Sequence, residues 1–450
     1  MMRIVAILLC CCLVSFAETV TISTASQLIE WFNTHSGDTS QVVIELTADL
    51  DFHKAGLKYP LGVSQGSCTP FSGSFKGREH RIKRLVMNNK NDNTYSSAGL
   101  FCALKGAIVD DLVIDESCKF TGVSAGALTV MVTGENTLYL LNVENKAQVN
   151  GDNGIGGLIG YVNNKVSGNV FVQRCKNTGT VTATENAAGG FIGYVANSKS
   201  TYIGFQNTTN SGVINGAQIA GGFVGFLKDN EYTGILVNDS VNINTVEGNN
   251  YASGFLGYVE RATDSNVIMV SMKNSVNNGI VKGTGMACGF FCSVDSKSDA
   301  PLAEVVNNIN SGEVSGSNAF GFAPFVYTGI NDVNLGVISG THYSASFWKT
   351  AQVFNTIVTT EELCKNCNGA VWMVKNADGI YDATGTKMHV YDMLNWNVVR
   401  EQSWKAFYFW NSKLEFKEID GNLNIGHSLG VSFMAISLIF LLMIQGIFSQ

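Results

Sequence analysis

The sequence predicts an all-β protein: a right-handed parallel β-helix (β-solenoid) of about eight coils with a small C-terminal cap. Three observations predict this fold. The 450 residues include 48 glycines and 4 prolines, and 45% are hydrophobic while only 14% are charged. A glycine-rich heptapeptide recurs at a nearly constant interval, and an asparagine turn keeps the same interval. Such repetition is typical of solenoids, in which each repeat buries its apolar face only against its neighbours.

The composition also excludes several classes of protein. Charged residues fall well below the roughly 25% of ordinary soluble domains, and apolar residues are abundant, which excludes intrinsic disorder. Four prolines exclude collagen and proline-rich linkers. The 29 Lys and Arg residues against 36 Asp and Glu residues give a net charge of −7. The chain therefore has no global basic field, and we expect no nucleic-acid partner.

The first 17 residues have the order of a secretory signal peptide. Arg3 precedes an apolar run from Ile4 to Val14, and small residues, Ser15 and Ala17, occupy the positions that define cleavage. We assign residues 1–17 to a signal peptide that is cleaved before Glu18. The eight cysteines that remain would enter an oxidising compartment, which favours disulfides. They are Cys68, Cys102, Cys118, Cys175, Cys288, Cys292, Cys364 and Cys367.

The heptapeptide of residues 156–162, Gly-Gly-Leu-Ile-Gly-Tyr-Val, defines the repeat. It recurs at 189–195, 221–227 and 253–259, with degenerate copies at 288–294 and 320–326 and worn first copies at 98–102 and 125–129. Its second position falls at residues 99, 126, 157, 190, 222, 254, 289 and 321, mostly 31 to 35 residues apart. Glycine permits the turns with positive φ that a coil needs. Coils stacked about 4.8 Å apart would pair every strand with its counterpart above and below.

An asparagine begins a turn of the form Asn-x-x-x-Val/Ile-x-Gly/Ala once in each repeat. These residues are Asn145, Asn177, Asn210, Asn242, Asn277, Asn310 and Asn334. Asparagine tolerates the left-handed region and hydrogen-bonds locally, and stacked asparagines bond from layer to layer. We therefore predict a structural turn ladder at these positions, with no catalytic role.

The sixth position of the heptapeptide is aromatic in five copies, Tyr161, Tyr194, Phe226, Tyr258 and Phe325. An exposed stripe would be a stacking platform for sugars, whereas a covered stripe would be a structural aromatic ladder. The third and seventh positions are also apolar, so the strand is expected to be buried on both faces. The pattern favours the ladder.

The Gly-Gly-Leu/Phe-Ile/Val-Gly-Tyr repeats resemble the GLUG motif of secreted and surface β-helix proteins. The resemblance covers roughly residues 20–340 and includes an opening capping helix at 23–28 and first strands at 46–51 and 71–82. Thr24 and Gln27 are placed to form a capping box. The resemblance implies a β-helix of the pectate-lyase-like type without carrying over a catalytic motif, since the family mixes adhesins, repeats attached to proteases and uncharacterised surface proteins. Cys288, Cys292 and Pro324 depart from the motif.

These observations divide the chain into five segments. Residues 18–95 form an N-terminal cap with the first strands, and residues 96–340 form the repeats. Residues 341–422 break the period, and we interpret this tryptophan-rich segment as a C-terminal cap or stalk that covers the last open coil. Its Cys364 and Cys367 favour a structural disulfide over a redox or zinc site, because no second cysteine pair has partner spacing.

The last segment, residues 423–450, is predicted to anchor the protein in a membrane. Leu429 to Phe448 carries no charge, and small residues with a polar spacer precede it. This order is typical of a GPI-attachment signal with Gly421 or Asn422 as the lipid-attachment residue. A membrane-spanning helix is the alternative, although no basic residue follows it. Either anchor would hold the protein on the extracellular face of the plasma membrane.

Five basic residues within nine positions form a candidate binding patch: Lys76, Arg78, Arg81, Lys83 and Arg84. Such a patch would suit a sulfated or sialylated glycan. The alternative, which the sequence favours, is that these charges protect an exposed edge of the first coil from pairing. Two acceptor sequons, at Asn207 and Asn238, predict N-glycosylation.

The sequence shows no catalytic constellation. Asp110 and Asp111 fall in a predicted strand, where neighbouring side chains point to opposite faces and do not converge. Six histidines are scattered, and no cluster has metal-ligand spacing, so we predict no metal and no cofactor. Cys288 and Cys292 share one predicted strand, which separates them too widely for a mutual bond and favours cross-coil pairing.

We therefore expect adhesion or surface recognition, with an extracellular glycan or a surface protein as the partner and the variable loops as the contact face. A polysaccharide-cleaving β-helix enzyme, either a lyase or a glycosidase, is the alternative. Such an enzyme would need carboxylates or basic residues from neighbouring coils in one groove. A purely structural coat protein is a third possibility.

Overall fold

Each repeat folds into one turn of a parallel β-solenoid of about eight turns, and this confirms the predicted fold class. The computed structural model describes residues 18–35, 37–163, 168–196, 201–228, 232–260, 267–293, 302–330, 332–334, 336–344, 347–354, 357–358, 374–375, 381–382, 405–409 and 416–420. The predicted signal peptide, the Cys364 and Cys367 pair, the lipid-attachment residues and the apolar tail lie outside these ranges. Among the described residues, no helix is both long and apolar enough to cross a membrane.

One coil passes through five sheets, which we number in chain order. In a representative coil the strands are Leu138–Leu141, Glu144–Asn145, Gln148–Gly151, Ile155–Gly156 and Ile159–Val162. The equivalent strands of successive coils pair in parallel and without a shift through most of the stack. Short strands form because each one needs only its neighbours above and below to satisfy its backbone.

The strands of the five sheets in the described part of the chain are as follows. Sheet 1 contains Glu18–Ile22, Val42–Leu46, Ser74–Lys76, Ile108–Asp110, Leu138–Leu141, Val170–Gln173, Thr201–Gln206, Tyr232–Asn238, Val267–Lys273, Leu302–Val306, Ala323–Ile330 and Phe347–Phe354. Sheet 2 contains Leu50–Asp51, Arg81–Lys83, Val113–Ile114, Glu144–Asn145, Lys176–Asn177, Thr209–Asn210, Val241–Asn242, Val276–Asn277, Ile309–Asn310, Val333–Asn334 and Ile357–Val358. Sheet 3 contains Val86–Asn88, Lys119–Gly122, Gln148–Gly151, Val181–Ala183, Ile214–Gly216, Val246–Gly248, Val281–Gly283, Val314–Ser315 and Ile338–Ser339. Sheet 4 contains Ala125–Gly126, Ile155–Gly156, Ala187–Gly189, Ile219–Gly221, Tyr251–Ser253, Met286–Cys288, Asn318–Phe320 and His342–Ser344. Sheet 5 contains Phe101–Leu104, Thr129–Val132, Ile159–Val162, Ile192–Ala196, Val224–Lys228, Leu256–Val259 and Phe291–Ser293.

The N-terminal end of the solenoid is covered by helix α1, Ala25–Thr34. The side chain of Thr24 accepts a hydrogen bond from the Gln27 backbone N–H, and the Gln27 side chain accepts one from the Thr24 N–H, so the expected capping box is present. Leu28 is fully buried, and the Trp31 ring meets that of Phe71 with 6.4 Å between centroids. The helix therefore closes the apolar interior of the first coils.

The interior is filled by side chains that repeat once per coil. The third position of the heptapeptide forms a ladder of fully buried phenylalanines whose successive ring centroids lie 4.6 to 5.1 Å apart. Its members are Phe191, Phe223, Phe255, Phe290 and Phe322. Each buried ring stabilises the fold by about 1.5–3 kcal/mol relative to an exposed one, so the repeat supplies the core.

The strand register corrects one sequence alignment. Gly126 pairs with Gly156 and Thr129 pairs with Ile159. Gly126 therefore occupies the first position of the heptapeptide, not the second as predicted. The residue that follows it, Ala127, takes the second position. The sequence alignment was wrong because this copy has only one of the two glycines of the heptapeptide.

Two disulfides are present among the described cysteines, Cys68–Cys102 and Cys288–Cys292. The second one contradicts the expected cross-coil pairing. Met286–Cys288 and Phe291–Ser293 belong to different sheets, and the chain bends between them, so the two Cα atoms lie 5.6 Å apart. The assumption of one extended strand failed because the heptapeptide forms a corner.

Cys118 and Cys175 are buried free thiols. Burial raises the pKa of Cys118 to about 11 and that of Cys175 to about 12. Since the thiolate is the reactive form, both groups are inert at neutral pH in the folded protein.

The chain divides into two units, one up to Trp372 and one from Met373. The first unit carries the solenoid, whose strands continue through Phe347–Phe354 and Ile357–Val358. In the second unit the structure describes two antiparallel pairs. They are Val374–Lys375 with Tyr381–Asp382 and Lys405–Phe409 with Phe416–Asp420. Most of the predicted C-terminal cap lies outside the described residues.

Candidate functional site

The paired glycines of the heptapeptide form a sharp corner between sheets 4 and 5. A Cβ atom at Gly190 would collide with the carbonyl oxygen of Gly222 and would lie 2.8 Å from Asn210 Oδ1. The chain is therefore so close to its neighbours at this corner that only glycine fits. The glycine heptapeptide and the asparagine turn are in contact at this corner, because the second glycine of one coil packs on the ladder asparagine of the next coil.

The bend turns the outer faces of sheets 4 and 5 toward each other. Tyr251 on sheet 4 stacks on Tyr258 on sheet 5, with 4.2 Å between ring centroids and 10° between ring planes. Phe226 on sheet 5 clusters with Ala187 and Ile219 on sheet 4. We call this outer surface the aromatic groove. Its lining consists of Met131, Tyr161, Tyr194, Phe226 and Tyr258 on one wall and Ala187, Ile219 and Tyr251 on the other.

The aromatic stripe of the heptapeptide runs along this groove, parallel to the stacking direction. Successive ring centroids from Tyr161 through Tyr194 and Phe226 to Tyr258 lie 5.2, 5.1 and 5.5 Å apart. Phe226 is 7% exposed, whereas the three tyrosines are half-buried. The stripe is thus a ladder on the outer surface, whereas the sequence indicated burial on both faces; the side chain of Phe325 lies outside the described residues.

Tyr161 and Tyr194 form an offset stack within the stripe. The planes of Tyr161 and Tyr194 are nearly parallel, at 10°, yet their centroids are 5.2 Å apart. Carbon atoms in contact lie about 3.5–4 Å apart, so parallel rings at the longer distance must be offset, as aromatic pairs prefer. The two rings are therefore stacked with an offset, and both residues are half-buried.

A row of amide side chains borders the sheet 4 wall. Asn186, Gln218 and Asn250 each directly precede a groove residue, and Gln218 and Asn250 are exposed. Asn250 Nδ2 donates to Gln218 Oε1 at 2.6 Å, and the Asn250 and Gln218 backbone N–H groups donate to the preceding amide residue of the row. We call these three residues the amide row. Sequence reasoning missed it because the turns differ in residue type.

The groove and the amide row contain no Asp, Glu, Lys or Arg among their described residues. At the ends of two sheet 5 strands, Lys228 and Glu260 pair with each other at 4.0 Å. The described part of the wall is therefore apolar and uncharged, with neutral hydrogen-bonding groups along one border.

The predicted asparagine ladder is confirmed and lies inside the solenoid. Each Nδ2 donates to the Oδ1 of the next ladder residue at 2.6 to 2.8 Å, from Asn145 through to Asn334. The same Nδ2 donates to the carbonyl oxygen two residues further along its own chain. All seven side chains are fully buried, which supports the predicted structural role.

A second polar ladder lies two residues before the first and was missed in the sequence. Ser240 Oγ accepts from the Thr208 N–H at 3.3 Å, and Asn308 Oδ1 accepts from the Ser275 N–H at 3.0 Å. The last described member of the column is Asp332, whose Oδ1 accepts from the Asn308 N–H at 2.9 Å. The available signal was a small polar residue two positions before each ladder asparagine from Asn210 to Asn334.

The basic patch is interleaved with carboxylates of the adjoining coils. Arg78 pairs with Glu45 at 3.0 Å, and Arg81 pairs with Asp115 at 3.1 Å. Further along, Lys83 pairs with Asp49 at 2.6 Å, and Arg84 pairs with Asp51. Lys76 lies in register with Glu45 and Asp110.

These ion pairs neutralise most of the positive charge of the patch. A hydrogen bond from Lys83 lowers the pKa of Asp49, as expected for a carboxylate with a cationic partner. The patch lies on sheets 1 and 2 and the turns that border them, away from the aromatic groove.

Asp110 and Asp111 converge, contrary to the prediction. Asn142 Nδ2 donates to Asp110 Oδ1 at 3.3 Å and to Asp111 Oδ1 at 2.7 Å. The strand ends at Asp110, and Asp111 has a left-handed φ of 52°, which breaks the alternation of side chains. Burial and then the charge of Asp111 raise the pKa of Asp110, while the hydrogen bond from Asn142 of the next coil and the charge of Arg174, two coils further on, oppose that shift.

The two sequons lie in adjacent coils at the corner between sheets 1 and 2. Asn207 is exposed with a φ of 50°, and Asn238 is half-buried at the end of its strand. The Asn207 N–H donates to the Asn238 carbonyl oxygen at 3.2 Å. Both predicted glycosylation sites therefore face the side of the coil away from the groove. Within the described ranges, no three His, Cys, Asp or Glu side chains are grouped to hold a metal ion.

No protein-family model matches the chain, and no curated protein sequence matches it. Among solved structures, it is similar to the crystal structure of a putative immunoglobulin A1 protease from Bacteroides ovatus. That similarity has a TM-score of 0.40 and 15% sequence identity, and it covers 82% of this chain and 93% of the other. The assignment of a parallel β-solenoid rests on the strand pairing of this chain itself.

Proposed function

We propose that this protein acts in adhesion or surface recognition and that it binds a glycan in the aromatic groove. The observation that supports the proposal is the aromatic stripe at one-coil intervals, in which Tyr161, Tyr194 and Tyr258 are half-buried and Tyr161 stacks with an offset on Tyr194. Sugars bind proteins by packing their apolar C–H faces on aromatic rings, and amphipathic rings such as tyrosine are enriched at binding surfaces. The amide row adds neutral hydrogen-bonding groups beside the rings.

The proposed location follows from the two ends of the chain. A signal peptide at residues 1–17 and a GPI-attachment signal or membrane anchor at 423–450 would place the protein on the extracellular face of the plasma membrane. Four well-formed copies of the heptapeptide support membership of the GLUG group of surface proteins. We propose these assignments together, because a surface location is what gives an adhesive groove its ligands.

A glycan array with the purified full chain tests the proposal. We expect binding that is lost in the double variant Tyr161→Ala and Tyr194→Ala, which removes two adjacent rings from the groove. Tyr139→Ala is the matched control, since Tyr139 is a half-buried outer tyrosine that stacks on Phe171 of sheet 1, away from the groove. A blank array for the wild type, or equal binding by the double variant, would contradict the proposal and favour a structural coat protein.

The described residues give less support to a polysaccharide-cleaving enzyme. Its acid groups would have to reach a sugar in the groove, yet the described lining carries no carboxylate. The converging pair Asp110 and Asp111 lies at the corner between sheets 1 and 2, on another side of the coil. We therefore propose binding without cleavage.

A further inference from the structure

We infer that the outer face of sheet 3 binds a second copy of this chain in an antiparallel dimer. The inference goes beyond the proposed function, because it concerns another face of the solenoid than the aromatic groove. Sheet 3 has nine strands in the described part of the chain, from Val86–Asn88 to Ile338–Ser339, and its middle strand is Ile214–Gly216. The turns that flank these strands are described throughout, apart from residue 335.

Two columns of side chains point outward from sheet 3. The middle residue of each strand from Met87 to Val314 is buried, and side chains alternate along a strand, so the residues on either side of it face outward. The strands pair without a shift from the first to the last. Column A contains Val86, Lys119, Gln148, Thr180, Val213, Thr245, Ile280, Glu313 and Val337. Column B contains Asn88, Thr121, Asn150, Thr182, Asn215, Glu247, Lys282, Ser315 and Ser339.

The exposed apolar side chains of the described residues gather at this face. The large hydrophobic residues that are exposed within the described ranges are Val86, Ile243, Ile280 and Val337. Three of them belong to column A, and Ile243 lies in the turn that leads into the sheet, two residues before Thr245. Val86 and Val337, on the first and the last strand, are the most exposed, at 62% and 67%. Single exposed apolar residues are normal on a protein surface, but their concentration on one face indicates an interface.

A two-fold axis through the middle strand makes this face complementary to itself. Such an axis, parallel to the strands, places the first strand of one copy against the ninth strand of the other, and the second against the eighth. Val86 then meets Val337 of the second copy, and Lys119 meets Glu313 of the second copy. Val213, in the column beside the axis strand, meets its own counterpart. Within its own chain, neither Lys119 nor Glu313 takes part in the ion pairs of the described residues.

The complementarity is specific to this position of the axis. Moving the axis by half a strand in one direction would place Val86 against Glu313 of the second copy. Moving it by the same amount in the other direction would place Lys119 against Val337. Only the axis on the middle strand therefore joins the two most exposed apolar residues and, at the same time, two opposite charges.

The remaining charged residues of the two columns also avoid like charges in this arrangement. Glu247 meets Thr182 of the second copy, and Lys282 meets Asn150. Like charges that face each other suppress an interface, so columns A and B present no electrostatic obstacle to the pairing.

The size of the face is sufficient for a dimer. Strands about 4.8 Å apart give nine strands a length of about 38 Å. The two columns supply eighteen residues over the nine strands, and the bordering turns add to them. A stable interface has about 20–30 residues on each side, so the outer face of sheet 3 is comparable with one half of such an interface.

The two solenoids stack in opposite directions, because the axis is parallel to the strands. Their ninth strands therefore lie at opposite ends of the dimer. With the membrane anchor at residues 423–450, on which this step depends and which belongs to the proposed function, the arrangement suits copies held on two facing surfaces. The dimer thus provides a homophilic contact for adhesion.

Charge exchange tests the pairing. The full chain, in a detergent that shields its apolar residues 429–448, should sediment as a dimer. Lys119→Glu and Glu313→Lys should each raise the Kd of the dimer at least about ten-fold, because each places like charges opposite each other twice in a symmetric dimer. The double variant restores opposite charges and should return the Kd to within about three-fold of the wild type. Lys105→Glu is the matched control, since Lys105 is exposed and follows a strand of sheet 5.

Cysteine cross-linking tests the position of the axis. Under mild oxidation, Val213→Cys should form a covalent dimer above the wild-type background, because residue 213 meets its own counterpart. Thr245→Cys should not, since residue 245 meets Thr180 of the second copy. Thr180→Cys combined with Thr245→Cys should form the dimer again. A bond within one chain is excluded, because one strand of sheet 3 separates the two residues and their Cα atoms are too far apart.

The outcomes separate this inference from the proposed function. A chain that stays monomeric up to about 100 μM, or a dimer that charge reversal does not weaken, would overturn the inference, and a glycan-binding monomer would keep the proposed function. A charge-reversible dimer with a blank glycan array would support the inference and contradict the glycan-binding groove. A dimer that dissociates in the Tyr161→Ala and Tyr194→Ala double variant, yet persists in Lys119→Glu, would place the second copy in the aromatic groove and would also overturn the inference.

Discussion

The buried asparagines of the ladder link successive coils through side-chain hydrogen bonds. Asn210 accepts from Asn177, donates to Asn242 and also donates to the carbonyl oxygen of Gly212. Its side chain is fully buried, so water does not replace a lost partner. A buried polar group left without its partner costs about 1–3 kcal/mol.

Replacing Asn210 by alanine should therefore be strongly destabilising. The variant Asn210→Ala removes one acceptor from Asn177 and one donor from Asn242, and we expect a loss of about 2–4 kcal/mol in the free energy of unfolding. Urea denaturation measures it. Asn215→Ala, on the half-exposed outer face of sheet 3 in the same coil, should change it by less than about 0.5 kcal/mol. Equal losses in both variants would contradict a special role for the ladder.

Asp110 gives a prediction with a defined pH dependence. Burial and the charge of Asp111 raise its pKa in the folded protein, so ionisation is less favourable in the folded state than in the unfolded state. The resulting penalty is absent at low pH, where both states bind the proton, and it is complete once the pH exceeds the raised folded pKa. Its ionised form thus reduces stability at neutral pH.

The variant Asp110→Asn keeps an acceptor for Asn142 and removes the charge. We expect a higher free energy of unfolding than the wild type at pH 7 and convergence of the two near pH 3, measured by urea denaturation across pH. Asp49→Asn should have the opposite sign at pH 7, since a hydrogen bond from Lys83 lowers the pKa of Asp49. A less stable Asp110→Asn at pH 7 would show that the corner requires the negative charge.

At the scale of the element, the corner between sheets 4 and 5 determines the shape of the candidate site. The glycine pair places Asn210 against the backbone of the preceding coil, and the same bend brings the outer faces of the two sheets together. A wider corner would separate Tyr251 from Tyr258 and open the groove. The motif thus affects both the interior ladder and the outer surface.

The variant Gly190→Ala tests this corner. Its Cβ would overlap the Gly222 carbonyl oxygen and crowd Asn210 Oδ1, so the corner has to widen. We expect a loss of about 3 kcal/mol or more in the free energy of unfolding, measured by urea denaturation. Gly37→Ala is the control, because no atom lies within 4 Å of the added Cβ. A Gly190→Ala protein of wild-type stability would show that the corner adapts without cost.

Periodicity in the sequence predicts the features that recur once per coil. It does not predict the features that depend on where the chain bends at a corner. Asn145 and its counterparts were identified because one residue type keeps one period, and stacking converts that period directly into contact. The groove was not predicted, since periodicity does not say which way a strand faces after a corner. Asp111 and the Cys288–Cys292 pair failed for the same reason: both predictions assumed an extended strand where the chain turns.

At the scale of the whole solenoid, stability is expected to be distributed along the stack. Each coil pairs with the coil above and the coil below, so the structure is nearly one-dimensional, and an end coil has only one neighbour. Helix α1 takes the place of the missing neighbour at the N-terminal end, where Leu28 and Trp31 close the apolar interior. The cap should therefore protect nearby coils more than distant ones.

The variant Leu28→Ala tests how far that protection extends. Removing a fully buried leucine side chain costs about 2–5 kcal/mol. In a one-dimensional stack this loss falls on the coils next to the cap. Hydrogen exchange followed by mass spectrometry should show faster exchange in Val42–Leu46 and Ser74–Lys76 and unchanged exchange in Leu256–Val259. Ser26→Ala, on the exposed face of the same helix, should leave all three strands unchanged. Uniformly faster exchange in all three strands would instead mean that the coils unfold as a single cooperative unit, because a local defect would then lower the stability of every coil equally.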